Sequence, residues 1–427
     1  MSPALPSYEE AAALVSGIAA QVRAQRPRIE RVHLAAAAGR ILAQPIRADR
    51  DQPPFSRSTR DGFACRAAEA STHEFLSVAG ATRAGDPPAA LLNPGAAWEI
   101  MTGAPVPPGA DSVIMIEHVE QTDGQVRLLP PRKVSEGENI VAQGAQARKG
   151  DELIPAGTAI TFAHIACAAE CGYSALEVFV RPRVAILTTG DELVPVESAP
   201  APGQIRNSNA PMLAALVAAA GGEPWVLPTA SDDALALDNS LAEAAQADLL
   251  LISGGVSAGK FDLVEPALAR AGAEFHFTGV RIQPGKPLVF AVLPRKSAIN
   301  LHTQEAARAI PVPVFGLPGN PISSAVTFLL FAAPMLAALA GSLQPGPRFA
   351  LAQLAKATDK HGKPGLTRFL PASCQFNPPA GKLPQVALVS WHGSGDLAAL
   401  ARSNCFLVIP EEADSLEPGA IVQILLP

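Results

Sequence analysis

The sequence has few charged residues, few aromatic residues and only five cysteines. Of its 427 residues, 17% are charged and 5% are aromatic, whereas 48% are hydrophobic. The formal net charge of -6 argues against nucleic acid as the main partner, because phosphate backbones are bound by clustered Lys and Arg. The hydrophobic content predicts sizeable cores and argues against a disordered chain. A chain of this length is expected to form two to four domains.

The cysteines form no CxxC pair and no set of metal-binding spacings, so we expect no disulfide framework. Cys167 and Cys171 are four residues apart on an expected helix. That spacing would suit a redox pair, but small buried hydrophobic side chains are the more common explanation. The eight histidines lack the HxxxH and HExxH spacings of a metal site. Only His392, beside Gly393 and Ser394, is a candidate for the side of a cleft, and an ordinary surface role is the commoner alternative.

Long apolar runs and targeting signals are also scarce. Residues 325–340 form the most apolar segment, which is shorter than the roughly 20 residues that cross a bilayer and contains Pro334. We expect a buried core helix there. The first 15 residues lack the basic segment and apolar core of a secretory signal. These features predict a cytoplasmic protein with no membrane partner.

Hydrophobic periodicity divides the chain into regions of different fold class. Short apolar runs between Gly, Pro and Asp clusters predict a β module before residue 145, and similar runs return near the C-terminus. Between them, expected strands at 184–188, 224–227 and 248–252 alternate with helices, which is typical of a doubly wound α/β domain. The predicted regions are an N-terminal region at 1–175 (helical linker parts at about 1–50 and 145–175, β module at about 51–144), an α/β domain at 176–342 and a C-terminal β domain at 343–427.

Three strand-to-loop junctions carry the candidate binding residues. Ser253-Gly-Gly-Val-Ser-Ala-Gly259 follows the apolar run 249–252. Its glycines allow close approach of a ligand, and N–H groups at a following helix start favour an anion such as a phosphate. The junctions at 184–192 and 314–321 are similar, and in an open parallel sheet all three converge at the carboxyl edge, where ligands bind. The absence of GxGxxG and GxxxxGK[ST] strings argues against dinucleotide and P-loop sites.

Several acidic residues lie in or beside expected turns. Turn acids are usually solvated caps, and Asp232 and Asp233 stand where a helix is expected to begin, so capping accounts for at least one of them. Several carboxylates in one crevice would bind Mg²⁺ through oxygen ligands. The acidic residues concerned are Asp61, Asp191, Glu192, Asp232, Asp233 and Asp262.

The motifs and their order resemble the MoeA family of molybdopterin molybdenumtransferases, which includes the E domain of gephyrin. The resemblance covers nearly the whole chain. Its N-terminal motifs are Arg60-Asp-Gly-Phe-Ala64, Glu99-Ile-Met-Thr-Gly-Ala-Pro-Val-Pro-Pro-Gly-Ala-Asp111 and Gly137-Glu-Asn-Ile140. Its later motifs are Thr189-Gly-Asp-Glu-Leu193, the loop 253–259 with Asp262, Pro284-Gly-Lys-Pro287 and Leu317-Pro-Gly-Asn-Pro-Ile-Ser323, with weaker matches at Arg368 and Gly393-Ser-Gly395.

The resemblance implies an elongated homodimer of four-domain subunits, with an active site in a cleft between the subunits and a central α/β domain that binds molybdopterin. It implies that molybdate is inserted into adenylylated molybdopterin with Mg²⁺-dependent release of AMP, which gives molybdenum cofactor. Molybdopterin adenylyltransferase and molybdoenzyme chaperones are candidate further partners.

The resemblance also implies roles for individual residues. Lys286, Ser323, Arg368 and Ser394 would contact molybdate or phosphate, and Thr102 would donate its hydroxyl hydrogen to an oxyanion. The implied catalytic residues are Asp61 (from the partner subunit), Thr102, Glu192, Asp232 and Asp262, with Glu192, Asp232 and Asp262 as Mg²⁺ ligands. The implied substrate-binding residues are Gly254, Gly255, Ser257, Lys286, Pro318, Gly319, Asn320, Pro321, Ser323, Arg368 and Ser394.

The chain departs from the family pattern at several charged positions. Arg60 replaces a Met, Lys260 stands where Asp or Glu is usual, and Gln283 replaces the first Lys of Lys-Pro-Gly-Lys-Pro. The segment around Gln146 lacks an Arg and two acids. The alternative is therefore a non-catalytic or altered-specificity molybdopterin-binding paralogue, although the retained carboxylates favour the enzyme. Residues 296–311 are predicted to form an exposed loop without an assigned role.

Overall fold

Three six-stranded sheets dominate the fold, and smaller two-stranded sheets accompany them. The structure is a computed structural model, and it describes residues 5–24, 28–256, 263–294, 311–358 and 365–427. The predictions made for Ser257, Lys260, Asp262 and the segment 296–310 therefore lie outside the described residues.

The N-terminal region contains a six-stranded sheet with its own small core. Its elements are α1 (Tyr8–Arg23), β1 (Ile29–His33), β2 (Ile46–Arg47), β3 (Arg57–Ser58), β4 (Gly62–Cys65), α2 (Ala67–Ala70), β5 (Leu76–Thr82), β6 (Ala96–Ile100), β7 (Ser112–Met115), β8 (Val119–Thr122), β9 (Gln125–Leu128), β10 (Ile140–Val141), β11 (Glu152–Ile154), α3 (Phe162–Glu170) and β12 (Ala175–Phe179). The sheet has the order β7-β4-β6-β5-β9-β8. Phe63 lies buried in its core.

Helix α1 packs on the α/β region although it precedes the N-terminal sheet. It begins with a capping box, in which the Ser7 side chain accepts from the N–H of Glu10 and the Glu10 side chain accepts from the N–H of Ser7. Its buried face joins the core of the α/β region and consists of Ala11, Val15, Ala19 and Val22. These apolar residues at helical spacing therefore anchor the start of the chain to the central domain.

The α/β region is built on a mixed sheet. Its elements are β13 (Arg183–Thr188), β14 (Leu193–Val194), β15 (Ile205–Arg206), α4 (Asn209–Ala219), β16 (Glu223–Val226), α5 (Ala234–Ala244), β17 (Leu249–Ser253), α6 (Val264–Arg270), β18 (Glu274–Phe277), β19 (Ile282–Gln283), β20 (Val289–Leu293), β21 (Val312–Leu317), α7 (Pro321–Thr327) and α8 (Ala333–Leu339). The sheet order is β16-β13-β17-β21-β20-β18, in which the first four strands are parallel and β20 runs antiparallel to both of its neighbours, β21 and β18. The predicted alternation of strand and helix is confirmed.

Two features of this sheet go beyond the prediction. The chain runs from β13 outward to β16 and then returns to place β17 on the other side of β13, so a topological switch point lies between β13 and β17. The sheet also begins later than residue 176, because β12 pairs with β1 instead of joining it. Apolar clusters cover both faces of the sheet, as its nearly continuous hydrophobic strands require.

Helices α7 and α8 continue into one another through a π-helical turn at Phe328–Ala332. Among the described residues, this stretch, Pro321–Leu339, is the one helix that is long and apolar enough to cross a membrane. Its most apolar window is 83% buried inside the protein. The prediction of a buried core helix is confirmed.

The C-terminal sheet closes on itself and takes one strand from the α/β region. Its own elements are β22 (Arg348–Leu354), β23 (Thr367–Gln375), β24 (Gln385–Leu388), α9 (Leu397–Arg402), β25 (Cys405–Ile409) and β26 (Ile421–Leu426). The order is β19-β23-β24-β22-β26-β25, and an additional pairing of β23 with β25 closes the ring. All five cysteines of the chain are free thiols in the structure.

Candidate functional site

The three predicted strand-to-loop junctions meet at the carboxyl edge of the parallel strands. The N–H of Thr189, after β13, donates to the carbonyl of Ser253 at 3.1 Å. The N–H of Gly254, after β17, donates to the carbonyl of Leu317 at 3.3 Å. These bonds tie the ends of β13, β17 and β21 together beside the switch point. The prediction that the junctions converge is confirmed.

Close backbone contact explains the glycine at 254. Its φ is +99°, in the left-handed region, and a β-carbon there would lie 2.6 Å from the carbonyl oxygen of Thr189. Gly255 has a φ of 62°. A β-carbon on Gly319 would lie 3.7 Å from the Cα atom of Gly254, so the loops after β17 and β21 are in direct contact. Backbone groups therefore form much of this part of the site.

Asn209, which belongs to none of the predicted motifs, joins these two loops. Its Nδ2 donates to Ser253 Oγ at 2.9 Å and to the carbonyl of Gly319 at 2.6 Å. Its Oδ1 is buried and finds no partner among the described residues. A polar residue at the first turn of a helix facing the carboxyl edge of the sheet was the available signal, but it is equally typical of an ordinary helix start.

Asn209→Asp is expected to disturb the site more than Asn209→Ala. Alanine removes two hydrogen bonds, a loss of about 1 kcal/mol each. Aspartate instead places a carboxylate oxygen against the carbonyl oxygen of Gly319, so the contact becomes repulsive. Thermal unfolding of the two variants checks this order. A more stable aspartate variant would contradict the bridging role.

Two acidic loops lie beside the glycine loop. The N–H of Gly190 donates to the carbonyl of Ala230 at 3.4 Å, and the N–H of Asp232 donates to Asp191 Oδ1 at 3.1 Å. Asp191 therefore organises the backbone of the second loop. Asp233 caps α5 by accepting from the N–H of Ala236 at 2.9 Å, which confirms that capping accounts for one of the two neighbouring acids.

Glu192 and Asp232 carry exposed carboxylates on these two cross-linked loops. Their hard oxygen atoms are the ligand type that Mg²⁺ prefers. Within the described part of the chain, no group of three or more His, Cys, Asp or Glu residues could hold a metal ion. The third predicted ligand, Asp262, lies outside the described residues.

Asp61 and Thr102 form a pair beside the N-terminal sheet, just before β4 and just after β6. Thr102 donates to Asp61 Oδ1 through its N–H at 2.6 Å and through its hydroxyl at 2.8 Å. These bonds, the backbone one first, hold the pKa of Asp61 below its usual value. The prediction for Thr102 needs correction, because its hydroxyl hydrogen is given to Asp61 and not left for an oxyanion. Asp61 itself is exposed.

The C-terminal region reaches the site through the loop that carries Ser394. The Nδ2 of Asn320 donates to Ser394 Oγ at 2.9 Å, and the N–H of Ile322 donates to the carbonyl of Ser394 at 3.0 Å. The predicted residues Asn320 and Ser394 are thus adjacent. His392 is highly exposed, with its N–H bound to Asp396 Oδ2 at 3.0 Å, so it holds a loop in place at the surface.

The remaining predicted binding residues differ in exposure. Lys286 is exposed and follows the cis peptide Gln283–Pro284. Pro318 is buried, and Pro321 is the first residue of α7. Ser323 and Arg368 are each only 4% exposed.

Arg368 is held inside the C-terminal region. Its Nη2 donates to the carbonyls of Ala413 and Asp414. Burial lowers the pKa of its guanidinium group from the usual value. These bonds use the Nη2 nitrogen of the Arg368 guanidinium group, the group that was predicted to contact molybdate or phosphate.

Three families of known domains match the chain in succession. Residues 6–172 match the MoeA N-terminal region (domain I and II), residues 185–338 match a probable molybdopterin binding domain, and residues 353–426 match the MoeA C-terminal region (domain IV). The matches include the glycine loop, the acidic loops and the Ser394 loop.

Individual relatives match over almost the full length. A molybdopterin molybdenumtransferase of Nostoc sp. is 34% identical, covering 99% of this chain and 94% of the relative. One of Bacillus subtilis is 35% identical, covering 91% and 87%. The crystal structure of a molybdopterin biosynthesis MoeA protein from Pyrococcus horikoshii is similar with a TM-score of 0.77 and 27% identity, covering 99% of this chain and all of that one.

Proposed function

Because the chain belongs to the MoeA family of molybdopterin molybdenumtransferases, an enzyme family of molybdenum cofactor biosynthesis, we propose that it inserts molybdate into adenylylated molybdopterin and releases AMP. The observation that carries the proposal is the meeting of the glycine loop, the acidic loops and the Ser394 loop at one sheet edge. Anions bind such edges because exposed backbone N–H groups and helix starts favour negative charge.

The glycine loop after β17 would bind the substrate through backbone N–H groups. Gly254 permits this approach because it has no side chain, and Asn209 fixes the loop against Gly319. Lys286 would bind the molybdate or phosphate oxygens as a point charge, with Ser394 as a neutral hydrogen-bond donor. Ser323 and Arg368 would support these contacts from buried positions.

Glu192 and Asp232, with Asp262, would hold a Mg²⁺ ion. Bound there, Mg²⁺ would offset the charge of the pyrophosphate oxygens and polarise its phosphorus centres. The carboxylates would also orient the attacking water by accepting its hydrogens. Asp191 would keep the second carboxylate loop in register by binding the N–H of Asp232.

We further propose that the active unit is a homodimer in which Asp61 is supplied by the partner subunit. In the structure Thr102, in the turn after β6, donates both of its described hydrogen bonds to Oδ1 of the exposed Asp61 carboxylate, so Oδ2 receives neither of them. Molybdopterin adenylyltransferase and molybdoenzyme chaperones are proposed as further partners, and the cytoplasm as the location.

AMP release from adenylylated molybdopterin tests the proposed function. The purified protein is expected to release AMP only when both Mg²⁺ and molybdate are present. Glu192→Gln should reduce this release by about 100-fold while retaining the pterin, because the isosteric amide removes one anionic ligand. Glu197→Gln, which changes an exposed acid beyond the short strand β14, is the matched control. AMP release that is unaffected by chelation of the metal would contradict the assignment of the carboxylates.

A further inference from the structure

A cluster of polar side chains lies where the α/β region joins the C-terminal sheet. Strand β19 pairs with β23 so that Gln283 is opposite Arg368. Strand β25 pairs with the other edge of β23, with Ile409 opposite Arg368. Because residues two apart along a strand share a face, side chains of three neighbouring segments gather on one side. We call Arg281, Gln283, Arg368 and Glu411 the seam cluster.

Contacts confirm that the members of the seam cluster are neighbours. Arg281 Nη2 lies 3.7 Å from Glu411 Oε1, with the two side chains 41% and 30% exposed. The backbone ladder continues past the strands, since the carbonyl of Arg281 accepts from the N–H of Thr367 at 3.1 Å. The carbonyl of Glu411 likewise accepts from the N–H of Gly365 at 3.3 Å.

Each member of the seam cluster keeps one buried polar atom that finds no hydrogen-bond partner in the described part of the chain. These atoms are Arg281 Nε, Gln283 Oε1, Arg368 Nε and Glu411 Oε2. Buried polar atoms in native proteins are normally paired with protein or with ordered water. Four such atoms on one face therefore indicate a shared bridging partner.

The chemistry of the four atoms identifies that partner. Two are donors and two are acceptors, and a water molecule both donates and accepts two hydrogen bonds. A fully deprotonated oxyanion offers only acceptors, so it would leave the Gln283 and Glu411 oxygens without a donor. The set of atoms therefore favours buried water over a bound oxyanion inside the seam cluster.

The seam cluster adjoins the loop that carries Lys286. Gln283 is followed by Pro284, Gly285 and Lys286, and Gly285 has a φ of +113° that favours glycine. The carbonyl of Lys286 accepts from the N–H of Val280 at 3.0 Å, which closes residues 280–286 into a compact loop. The strand from which this loop emerges, β19, therefore belongs to the C-terminal sheet.

We propose that Arg281 and Glu411 are positioning residues, which fix the Lys286 loop through the water-bridged seam cluster. The ion pair joins the residue before β19 to the turn after β25, across the intervening strand β23, and the loop leaves β19 directly. The functional part of this inference rests on the proposed function, in which Lys286 binds the oxyanion substrate. Glu411 acts through its contacts with Arg281 and does not itself touch the substrate.

Glu411→Gln and Glu412→Gln test the proposal as a matched pair. Both raise the net charge by one, but Glu412 is the exposed neighbour outside the cluster. In Glu411→Gln, hydrogen exchange of a peptide covering 279–288 is expected to become about threefold faster or more, because the loop loses its anchor. The KM for molybdate should rise about fivefold or more, with little change in kcat or in the KM for adenylylated molybdopterin. Glu412→Gln should change none of these values.

If the KM of Glu411→Gln for molybdate falls, Glu411 acts only through its negative charge. If both the KM and the rate of hydrogen exchange are unchanged, Glu411 has no positioning role. Either result overturns the proposal. Arg281→Gln combined with Glu411→Gln should increase neither the exchange rate nor the KM for molybdate beyond the single changes, because paired residues give non-additive effects. Hydrogen exchange needs no turnover, so it tests the positioning of the loop even if the wild-type protein releases no AMP. A wild-type protein that releases no AMP would count against the proposed function and not against the positioning of the loop.

Discussion

Asp61→Asn is expected to lower AMP release by about 100-fold or more, because it removes a carboxylate that we place beside the reacting groups. The fold should survive. Asparagine retains an oxygen that accepts from the N–H and hydroxyl of Thr102, as Asp61 Oδ1 does at 2.6 and 2.8 Å. The initial rate of AMP release at saturating substrate is the measurement, and thermal unfolding is the check on folding.

Thr102→Val provides the control for this prediction. It removes the hydroxyl donor, so the pKa of Asp61 should rise towards its usual value, while the backbone N–H of residue 102 still binds Oδ1. The carboxylate then stays ionised at neutral pH, and only a small loss of activity is expected there. Activity of Thr102→Val should begin to fall at a higher pH than that of the wild type as the solution is acidified. Equal losses in the two variants at neutral pH would contradict the role of the Asp61 charge.

Mixing inactive variants tests the sharing of residues between subunits. If Asp61 and Glu192 meet only across the dimer, then Asp61→Asn and Glu192→Gln subunits mixed in equal amounts should recover about a quarter of wild-type activity, since half of the dimers carry one intact site. Each variant alone should remain inactive. No recovery after exchange of subunits would place both carboxylates in the site of a single chain.

Gly254→Ala is expected to weaken the binding of molybdopterin by about tenfold or more, because the loop must move by about 1 Å. A β-carbon at this position would lie 2.6 Å from the Thr189 carbonyl oxygen, which is fixed in the backbone and cannot rotate away. The residue would also have to adopt a φ of +99°. The loop must therefore shift. Fluorescence titration of the variant with molybdopterin measures the loss.

Gly221→Ala separates the contact from the backbone conformation. Gly221 has a φ of +84°, but a β-carbon there would meet nothing within 4 Å. This variant should therefore lose about 1 kcal/mol of stability and keep its affinity for the pterin. If it loses as much affinity as Gly254→Ala, general destabilisation and not the shape of the loop explains the effect.

Strong local patterns predicted the central fold well. The runs at 184–187 and 249–252 are apolar throughout, as strands buried on both faces must be, and both lie in strands of the parallel sheet. The glycine loop between expected strand and helix correctly predicted the carboxyl edge. Such signals are local, so they can be recognised in one sequence.

Long-range pairing was less predictable. Ile282–Gln283 has no local feature that would assign it to the C-terminal sheet, and its partner strand begins at Thr367, far along the chain. Helix α1 was expected in a linker. Its apolar face predicts that the helix packs against the protein, but the face does not identify the domain that it contacts. Asn209 was not predicted, and Asp191 was predicted only as one of several candidate acids, because their observed roles depend on loops that only the fold brings together.

The product formed from adenylylated molybdopterin tests the central claim most directly. The purified protein, supplied with Mg²⁺ and molybdate, should yield one molybdenum atom bound to the pterin for each AMP released, as measured by mass spectrometry of the extracted products. A protein that binds the pterin but leaves it adenylylated and free of molybdenum at every molybdate concentration would contradict the account. It would instead be a molybdopterin-binding paralogue, consistent with the altered charges at Arg60 and Gln283.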